Sequence, residues 1–367
     1  MDKLLYITNS MKYQYGGAVI NRRNYNLLHD IYRDDLFIYE FEYANHESRS
    51  EKLKNRLCGF YFGITRQYVQ EVLKIVEQHD ISIVFISNSL FSCFAVEIKK
   101  KFPDVVILSF FHNVEYIYAK EEYKAEKSIR HWVLSRLAYE YEKKMIKNVD
   151  HVIVLNNRDA RELKRIYNRM ADFILPTSFE DKFGNISTNE ERKEACLRLL
   201  FVGSNFFANI HGIGWFVDLV MPYVRNAVLY IVGKGMESER TRLEKENVQV
   251  IGTVDSLDEW YGKADVIVSP IFLGSGMKTK TAESLMFGKP ILGTREAFEG
   301  YDLEPSKVGA LCNTAAEFIA EITNIQQSDN WIELHGKYAR EIYETQYSYK
   351  ISLDRFRTFM RKIRTGN

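Results

Sequence analysis

A glycine-rich segment from Ser269 to Glu283 combines groups that suit an anionic ligand. Its pattern predicts a strand end, a Gly274-Ser275-Gly276 loop and a helix that begins near Lys278. Backbone N–H groups at a helix start bind anions, and glycines allow close approach. Lys278 and Lys280 add positive charge, and Glu283 offers a carboxylate to a sugar diol. These groups fit a nucleoside diphosphate with its ribose. The same residues are equally consistent with an ordinary strand-to-helix turn, in which Glu283 is only an acid that interacts favourably with the helix dipole. A glycine loop by itself is weak evidence for a binding site.

His112 is a second candidate, because it follows the apolar run 107–111. It should therefore lie at the carboxyl end of a strand, where doubly wound sheets bind their ligands. A lone histidine after an apolar run is also common as a structural residue, so both roles stay open. Asn113 and Glu115 are candidate partners for His112.

Strand and helix patterns alternate through both halves of the chain. Short apolar runs, as in a parallel sheet buried on both faces, predict strands at 4–8, 81–86, 105–110, 151–155, 199–202, 227–232, 248–251, 265–269 and 290–293. Amphipathic segments predict helices at 21–28, 68–79, 133–146, 213–223 and 279–287. A polar stretch at 181–194 separates the halves and predicts a linker. The alternation predicts two doubly wound α/β domains.

Composition excludes several classes of protein. The 367 residues are 46% hydrophobic and 27% charged, which is ample for two packed cores and excludes a disordered chain. Fifty basic residues balance 49 acidic ones, so no basic excess points to nucleic acid. The four cysteines form no CxxC motif, which suits a reducing cytoplasm. No apolar run predicts a signal peptide or a transmembrane helix, so we expect a cytoplasmic protein, soluble or on the inner face of the membrane.

Residues 252–300 resemble the donor-binding half of the retaining glycosyltransferases of family 4, also called glycosyl transferases group 1. The resemblance extends back through 200–204 and 229–235, and reaches the first half through Gly16-Gly17 and 111–115. It implies an α/β GT-B fold, in which two Rossmann-like doubly wound domains face each other across a cleft.

The resemblance also implies the domain boundaries. Residues 1–180 would form the acceptor-binding domain, 181–196 the linker and 197–346 the nucleotide-sugar domain. The C-terminal helix, 347–367, would cross back to the N-terminal domain.

The activity that the resemblance implies is retaining transfer from a UDP- or GDP-sugar to a glycan. A lipid-linked intermediate of bacterial surface polysaccharide is the expected acceptor. The front-face reaction would need no metal and no cofactor, in agreement with the lack of an Asp-x-Asp motif in the sequence. The alternatives are a GT-B nucleotide-sugar epimerase and a degenerate homologue that only binds nucleotide.

Carried over by position, the resemblance assigns site residues. Glu283 matches the second glutamate of the family's Glu-x7-Glu motif and would bind ribose, whereas Ser275 replaces the first. His112 would contact the donor sugar, with Lys278 and Glu115 as further catalytic candidates. Glu115 is alternatively a contact for the acceptor. The expected nucleotide-sugar contacts are Gly16, Gly17, Gly203, Ser204, Gly233, Val254, Gly274, Ser275, Gly276, Met277, Lys278, Thr279, Lys280 and Glu283.

The family's phosphate clamp is altered in this sequence. Ser204 and His211-Gly212 stand where many members have arginine and lysine. We expect Lys278, and as second choice Lys280, to neutralise the leaving diphosphate instead.

Two segments are candidates for contact with an anionic membrane. Residues 49–66 carry five basic residues against one acidic, interleaved with aromatic residues. The C-terminal segment 347–364 is basic and amphipathic, although domain crossing explains it better. The segment 120–147, with eight basic and five acidic residues, is expected to serve core and acceptor groove.

Overall fold

The structure is a computed structural model, and it describes residues 2–9, 11–12, 16–42, 55, 60, 63–185, 196–274 and 276–365. The chain forms two compact units, Met1–Pro176 with Leu353–Asn367, and Thr177–Ser352. We call them the first and second unit. The sequence analysis predicts that the first domain ends at 180 and that the chain returns to it at 347. The observed units change after Pro176 and after Ser352. Most of the predicted linker, residues 186–195, lies outside the described residues.

The first unit is built on a six-stranded parallel sheet in the order β2-β1-β3-β4-β5-β6. Its strands are β1 (Leu4–Asn9), β2 (Leu36–Phe41), β3 (Ile83–Ile86), β4 (Val106–Phe111), β5 (His151–Val154) and β6 (Phe173–Ile174). Its helices before the second unit are α1 (Gly16–Tyr32), α2 (Arg66–Gln78), α3 (Ser92–Lys101), α4 (Glu115–Glu126), α5 (Ile129–Lys147) and α6 (Asn157–Tyr167), with a 3-10 turn at Arg33–Asp35.

Hydrophobic periodicity explains how these helices cover the sheet. In α2 the buried residues are Val69, Val72 and Val76, which share one helix face. Thr65 caps the start of α2, its side chain accepting a hydrogen bond from the Tyr68 N–H. All six residues of β1 are buried, as expected for a central strand covered on both faces.

The second unit repeats the plan with a parallel sheet in the order β12-β11-β10-β7-β8-β9. Its strands are β7 (Leu197–Val202), β8 (Ala227–Val232), β9 (Val248–Gly252), β10 (Val266–Ser269), β11 (Ile291–Gly293) and β12 (Gly309–Leu311). Its helices are α7 (Phe207–Leu219), α8 (Arg240–Leu243), α9 (Asp258–Lys263), α10 (Thr279–Met286), α11 (Arg295–Phe298), α12 (Pro305–Val308), α13 (Ala315–Gln327) and α14 (Trp331–Ile342). Short 3-10 turns lie at Phe183–Asn185, Met221–Tyr223 and Met236–Glu239, and a π-helical turn at Tyr343–Tyr347.

The last helix, α15 (Tyr349–Thr365), begins in the second unit and continues into the first. Phe356 is buried there, with its ring centroid 6.2 Å from that of Phe85 and 6.0 Å from that of Phe173. Phe359 stacks on Phe173 at 4.6 Å. The expected crossing of the C-terminal helix is therefore confirmed.

The helix predicted at 213–223 differs from the one observed. Helix α7 begins at Phe207 and ends at Leu219, and a separate 3-10 turn carries Pro222. Proline lacks the N–H that would continue the helical hydrogen bonds, which explains the break. None of the described helices is long and apolar enough to cross a bilayer.

Candidate functional site

The predicted nucleotide-binding residues of the second unit follow four neighbouring strands. They are Gly203 and Ser204 after β7, Gly233 after β8, Val254 after β9, and Gly274, Gly276, Met277, Lys278, Thr279, Lys280 and Glu283 after β10. These strands are parallel and adjacent in the order β10-β7-β8-β9, so their carboxyl ends share one edge of the sheet. Ser275 lies outside the described residues.

Two of the glycines bring the turns after β7 and β8 into close contact. The Gly203 N–H donates to the Val232 carbonyl at 2.9 Å. Gly233 has a φ of +147°, and a Cβ there would lie 2.2 Å from the Gly203 carbonyl oxygen. Glycine is therefore required at Gly233 by packing and backbone conformation, whatever it contributes to a ligand.

The start of α10 is held by a tyrosine from a later loop. The Tyr301 hydroxyl donates to the Lys278 carbonyl at 2.6 Å and accepts from the Ala282 N–H at 3.1 Å. Lys278 occupies the N-cap position without a side-chain cap. The first N–H groups of a helix lack carbonyl partners within it, so the turn at Thr279 and Lys280 carries the positive end of the helix dipole.

The two lysines of this segment have different surroundings. The Lys278 Nζ lies 2.8 Å from the Glu296 Oε1 and 2.8 Å from the Gly276 carbonyl oxygen. The Lys280 Nζ lies 2.8 Å from the Asn209 Oδ1 and 4.4 Å from the centroid of the Phe201 ring. Within the described ranges no carboxylate forms an ion pair with Lys280. Lys278 is thus balanced by an acid, whereas Lys280 has neutral partners.

Burial changes the acid–base properties of Lys280. Its side chain is only 8% exposed. Burial, and secondarily the charge of Lys278, lower the pKa of Lys280 to about 7. An anion placed beside this ammonium would raise its pKa again, because opposite charge favours the protonated form.

Glu283 lies on the same face of α10 as Lys280, three residues later. Its Oε2 accepts a hydrogen bond from the Tyr261 hydroxyl at 2.9 Å. Tyr261 is buried and stacks on Phe287 at 4.7 Å, which fixes the phenol. Burial raises the pKa of Glu283 to about 7, against the effects of Tyr261 and Lys280, which lower it.

Helix α7 carries Asn209 and His211, close to the positions at which the sequence comparison expects a phosphate clamp. The Asn209 Nδ2 donates to the Ser204 carbonyl at 2.9 Å, so Asn209 connects the loop after β7 to Lys280. His211 is exposed, with its ring 6.2 Å from that of Phe272. A Cβ on Gly212 would lie 1.9 Å from the Pro270 carbonyl oxygen, so this glycine lets α7 pack against the segment after β10.

In the first unit His112 directly follows β4, at the carboxyl end of that strand. Its ring stands edge-on to Phe110 at 5.2 Å. Burial lowers the pKa of His112 to about 4, although a hydrogen bond with the Ser87 backbone raises it. The imidazole is therefore neutral near pH 7.

Glu115 begins α4 and faces a second buried acid, Glu142 of α5. The Glu142 carboxylate accepts from the Glu115 N–H at 2.8 Å and the Tyr116 N–H at 3.1 Å. It also accepts from the hydroxyls of Tyr167 at 2.7 Å and Ser89 at 3.0 Å. Glu142 thus caps α4 from another helix.

Both acids are shifted towards their neutral forms. Burial raises the pKa of Glu142 to about 7. Burial and the charge of Glu142 raise the pKa of Glu115 to about 8, while a hydrogen bond from Asn113 lowers it. Asn113 is therefore a partner of Glu115.

Gly16 and Gly17 are the first residues of α1, and residues 13–15 before them lie outside the described part. Across the described ranges, no group of three or more histidine, cysteine, aspartate or glutamate residues could hold a metal ion.

Four residues of these arrangements were missed by sequence reasoning. They are Asn209, Tyr261, Glu296 and Glu142. Each acts across a loop or between helices, and no motif in the sequence marks it. Glu296 follows β11 on the first turn of α11, and a lysine–acid pairing 18 positions apart becomes visible only in the folded sheet.

Comparison with known proteins supports one family. Residues 196–328 match the family model described as glycosyl transferases group 1. A search of curated proteins finds no match.

Solved structures match over both units. Sucrose-phosphate synthase of Thermosynechococcus elongatus is 14% identical with a TM-score of 0.75, covering 100% of both chains. HepE of Anabaena, solved with UDP and glucose, is 11% identical with a TM-score of 0.71, covering 99% of this chain and 100% of its own. WaaG, a glycosyltransferase involved in lipopolysaccharide biosynthesis, is 17% identical with a TM-score of 0.67, covering 99% of this chain and 100% of its own.

At 11–17% identity, these structures show only the fold of the chain. The family model assigns residues 196–328, most of the second unit, to its family. The resemblance seen in the sequence is thus confirmed: residues 196–328 match the group 1 glycosyl transferases, and the chain has the GT-B fold.

Proposed function

We propose that this chain transfers a sugar from a nucleotide-sugar to a glycan acceptor, with retention of the anomeric configuration. The second unit binds the donor, and the first unit binds the acceptor. The acceptor class is a lipid-linked intermediate of bacterial surface polysaccharide. WaaG, which has the same fold, is involved in lipopolysaccharide biosynthesis.

The observation that carries the proposal is the arrangement along one face of α10. Lys280 presents a buried ammonium with neutral partners, beside the positive end of the helix dipole. Glu283 presents a carboxylate one turn farther along. A diphosphate at Lys280 and a ribose diol at Glu283 match these groups in charge and order. HepE, which has the same fold, was solved with UDP-glucose.

Lys280 is a better candidate than Lys278 for the cation at the diphosphate. The acid Glu296 already neutralises Lys278 at 2.8 Å. Lys280 gains most from an incoming anion, because burial depresses its pKa until an opposite charge lies beside it. Lys278 then acts on the geometry of the loop, through its hydrogen bond to the Gly276 carbonyl.

The reaction proceeds on one face of the sugar. The bond from the anomeric carbon to the diphosphate oxygen breaks, and the acceptor oxygen bonds to that carbon from the same side. The acceptor proton passes to the departing diphosphate. Such a reaction depends on positioning and charge stabilisation rather than on a strong base. Neutral His112 fits a positioning role towards the transferred sugar, and no metal ion is needed.

Release of nucleotide tests this function. UDP-glucose and GDP-mannose are incubated with the chain, with and without a lipid-linked oligosaccharide, in buffer containing EDTA. We expect one of them to give acceptor-dependent nucleotide release and a product with the anomeric configuration of the donor. Glu283→Gln should lower the rate at least tenfold, about 1.4 kcal/mol of barrier, whereas the exposed Glu333→Gln should not.

Other results would favour the alternatives. Nucleotide release together with an epimerised sugar, independent of acceptor, would indicate an epimerase. Binding of nucleotide-sugar without any turnover would indicate a non-catalytic homologue. A product of inverted configuration would contradict retention.

A further inference from the structure

The tip of the α4–α5 hairpin exposes three large apolar side chains. Ile129 is 82% exposed, Trp132 50% and Val133 39%. Their spacing of three and four residues places them on one face of α5. We call these three residues the apolar stripe.

The stripe lies apart from the face with which α5 packs on its neighbours. Ala138 and Tyr141 of α5 are buried with Leu90, and Leu134 packs against that cluster. The tip itself is well formed, because the Ser128 hydroxyl accepts from the His131 N–H at 3.3 Å and caps α5. The stripe is therefore presented to solvent by a fixed helix.

Basic side chains flank the stripe along α5 and the turn before it, while the exposed Glu126 ends α4 on the other side of that turn. The segment 127–136 contains Lys127, Arg130 and Arg136 and no acidic residue. All three are exposed, and none forms an ion pair with another described residue. Arg136 continues the stripe one turn farther, where its aliphatic stem can lie along the apolar surface with the guanidinium beyond it.

We propose that this tip docks on a membrane surface that carries anionic lipid headgroups. Ile129 and Val133 enter the headgroup–acyl boundary, Trp132 lies at the interface, and the basic residues meet lipid phosphates. Tryptophan favours such interfaces because its ring is apolar and its N–H is polar. The lipid-linked acceptor, which rests on the proposed function, would be reached from that surface.

The two segments that the sequence singled out for membrane contact are less suitable. Most of 49–66 lies outside the described residues. In α15, Phe356 and Met360 are buried, so its apolar face is already used within the fold. The proposed tip lies instead in a segment that sequence reasoning assigned to core and acceptor groove.

Vesicle binding without any substrate tests the proposal. The full chain is sedimented with phosphatidylcholine vesicles and with vesicles of equal parts phosphatidylcholine and phosphatidylglycerol. We expect binding to the anionic vesicles, weaker at high salt, and little to the neutral ones. Replacing Arg130 and Arg136 by glutamine should weaken binding about fivefold for each residue, whereas the exposed Lys74→Gln should not.

Variants of the stripe separate apolar insertion from charge attraction alone. The triple change Ile129→Ser, Trp132→Ser and Val133→Ser should lower vesicle affinity more than tenfold. Met170→Ser is the matched control, because Met170 is an apolar residue of the same unit with 61% exposure. Trp132→Phe should keep most of the binding and abolish the blue shift of tryptophan fluorescence that vesicles cause in the wild type.

Several outcomes would overturn the proposal. One is a wild-type chain that does not bind anionic vesicles, and another is a triple variant that binds as well as the wild type. A third is a stripe whose removal abolishes self-association while vesicle binding stays the same, because the stripe would then cover a second copy of the chain. UDP affinity of the same variants should remain unchanged, so a failure here is distinct from a failure of the proposed function.

Discussion

A neutral imidazole at His112 can hold a sugar hydroxyl but adds no charge at the leaving group. Burial lowers its pKa to about 4, so its protonation should not contribute to the pH dependence of transfer above about pH 5. We predict that His112→Ala lowers the transfer rate at least tenfold. UDP affinity should change by less than about 0.5 kcal/mol, because an effect confined to the rate belongs to the transition state.

The exposed His29→Ala serves as the control for His112→Ala and should leave both quantities unchanged. Thermal unfolding of each variant separates the two roles that the sequence left open. Joint loss of stability and activity would mean that His112 supports the sheet. A folded His112→Ala chain with normal transfer would contradict the positioning role.

Single residues also mark the limit of what the sequence predicts. The position of His112 after a strand and of Lys280 and Glu283 on a helix followed from local patterns. The choice between Lys278 and Lys280 did not, because it depends on Glu296, which reaches Lys278 from another βα unit. Glu142 shows the same limit, since it caps a helix 27 residues away.

At the scale of the elements, helix α7 packs against the segment that follows β10, and a substitution in α7 tests how close this packing is. Alanine usually favours a helix over glycine by about 1 kcal/mol. At Gly212 the new Cβ would lie 1.9 Å from the Pro270 carbonyl oxygen, which is backbone and cannot simply rotate away. We predict that Gly212→Ala destabilises the second unit by about 1–3 kcal/mol or more, measured by urea unfolding.

Gly184→Ala is the matched control, because a Cβ on Gly184 would meet no other atom within 4 Å. Its free energy of unfolding should stay within about 0.5 kcal/mol of the wild type. Equal stability of the Gly212→Ala and Gly184→Ala chains would show that α7 does not approach the 270 segment as closely as described.

Continuous apolar runs predicted most of the central strands. β2 was not predicted because it is an edge strand whose residues alternate in exposure, and because it contains the charged Glu40. β6 and β12 have only two and three residues, too few for a period to be recognised. Element boundaries depended on specific residues such as Pro222, which splits one predicted helix in two.

For the whole molecule, the repeated strand–helix alternation predicted two doubly wound sheets, and the structure has them. The family resemblance implied that the terminal helix returns to the first domain, and Phe356 of α15 supplies a buried contact there. The strand order within each sheet was beyond sequence reasoning. It depends on which apolar runs pair over distances as long as that between Leu4 and Ile83, which no local pattern records.

UDP binding measured by calorimetry at pH 8 tests most directly whether the second unit holds a nucleoside diphosphate at Lys280 and Glu283. At this pH and before UDP is added, Lys280 is mostly neutral, because its pKa lies at about 7. Glu283, with a raised pKa of about 7, is mostly charged and ready to accept ribose hydroxyls. The terminal phosphate, with a pKa of about 6, is already ionised. Binding should therefore protonate Lys280.

Titrations in two buffers of different ionisation enthalpy give the number of protons taken up. We predict uptake of close to one proton per UDP in the wild type, and none in Lys280→Arg, which should still bind. Lys280→Met and Glu283→Gln should each weaken binding by about 1.5–3 kcal/mol, and Lys278→Met by less. A wild-type chain that binds no UDP, or proton uptake that persists in Lys280→Met, would contradict this site.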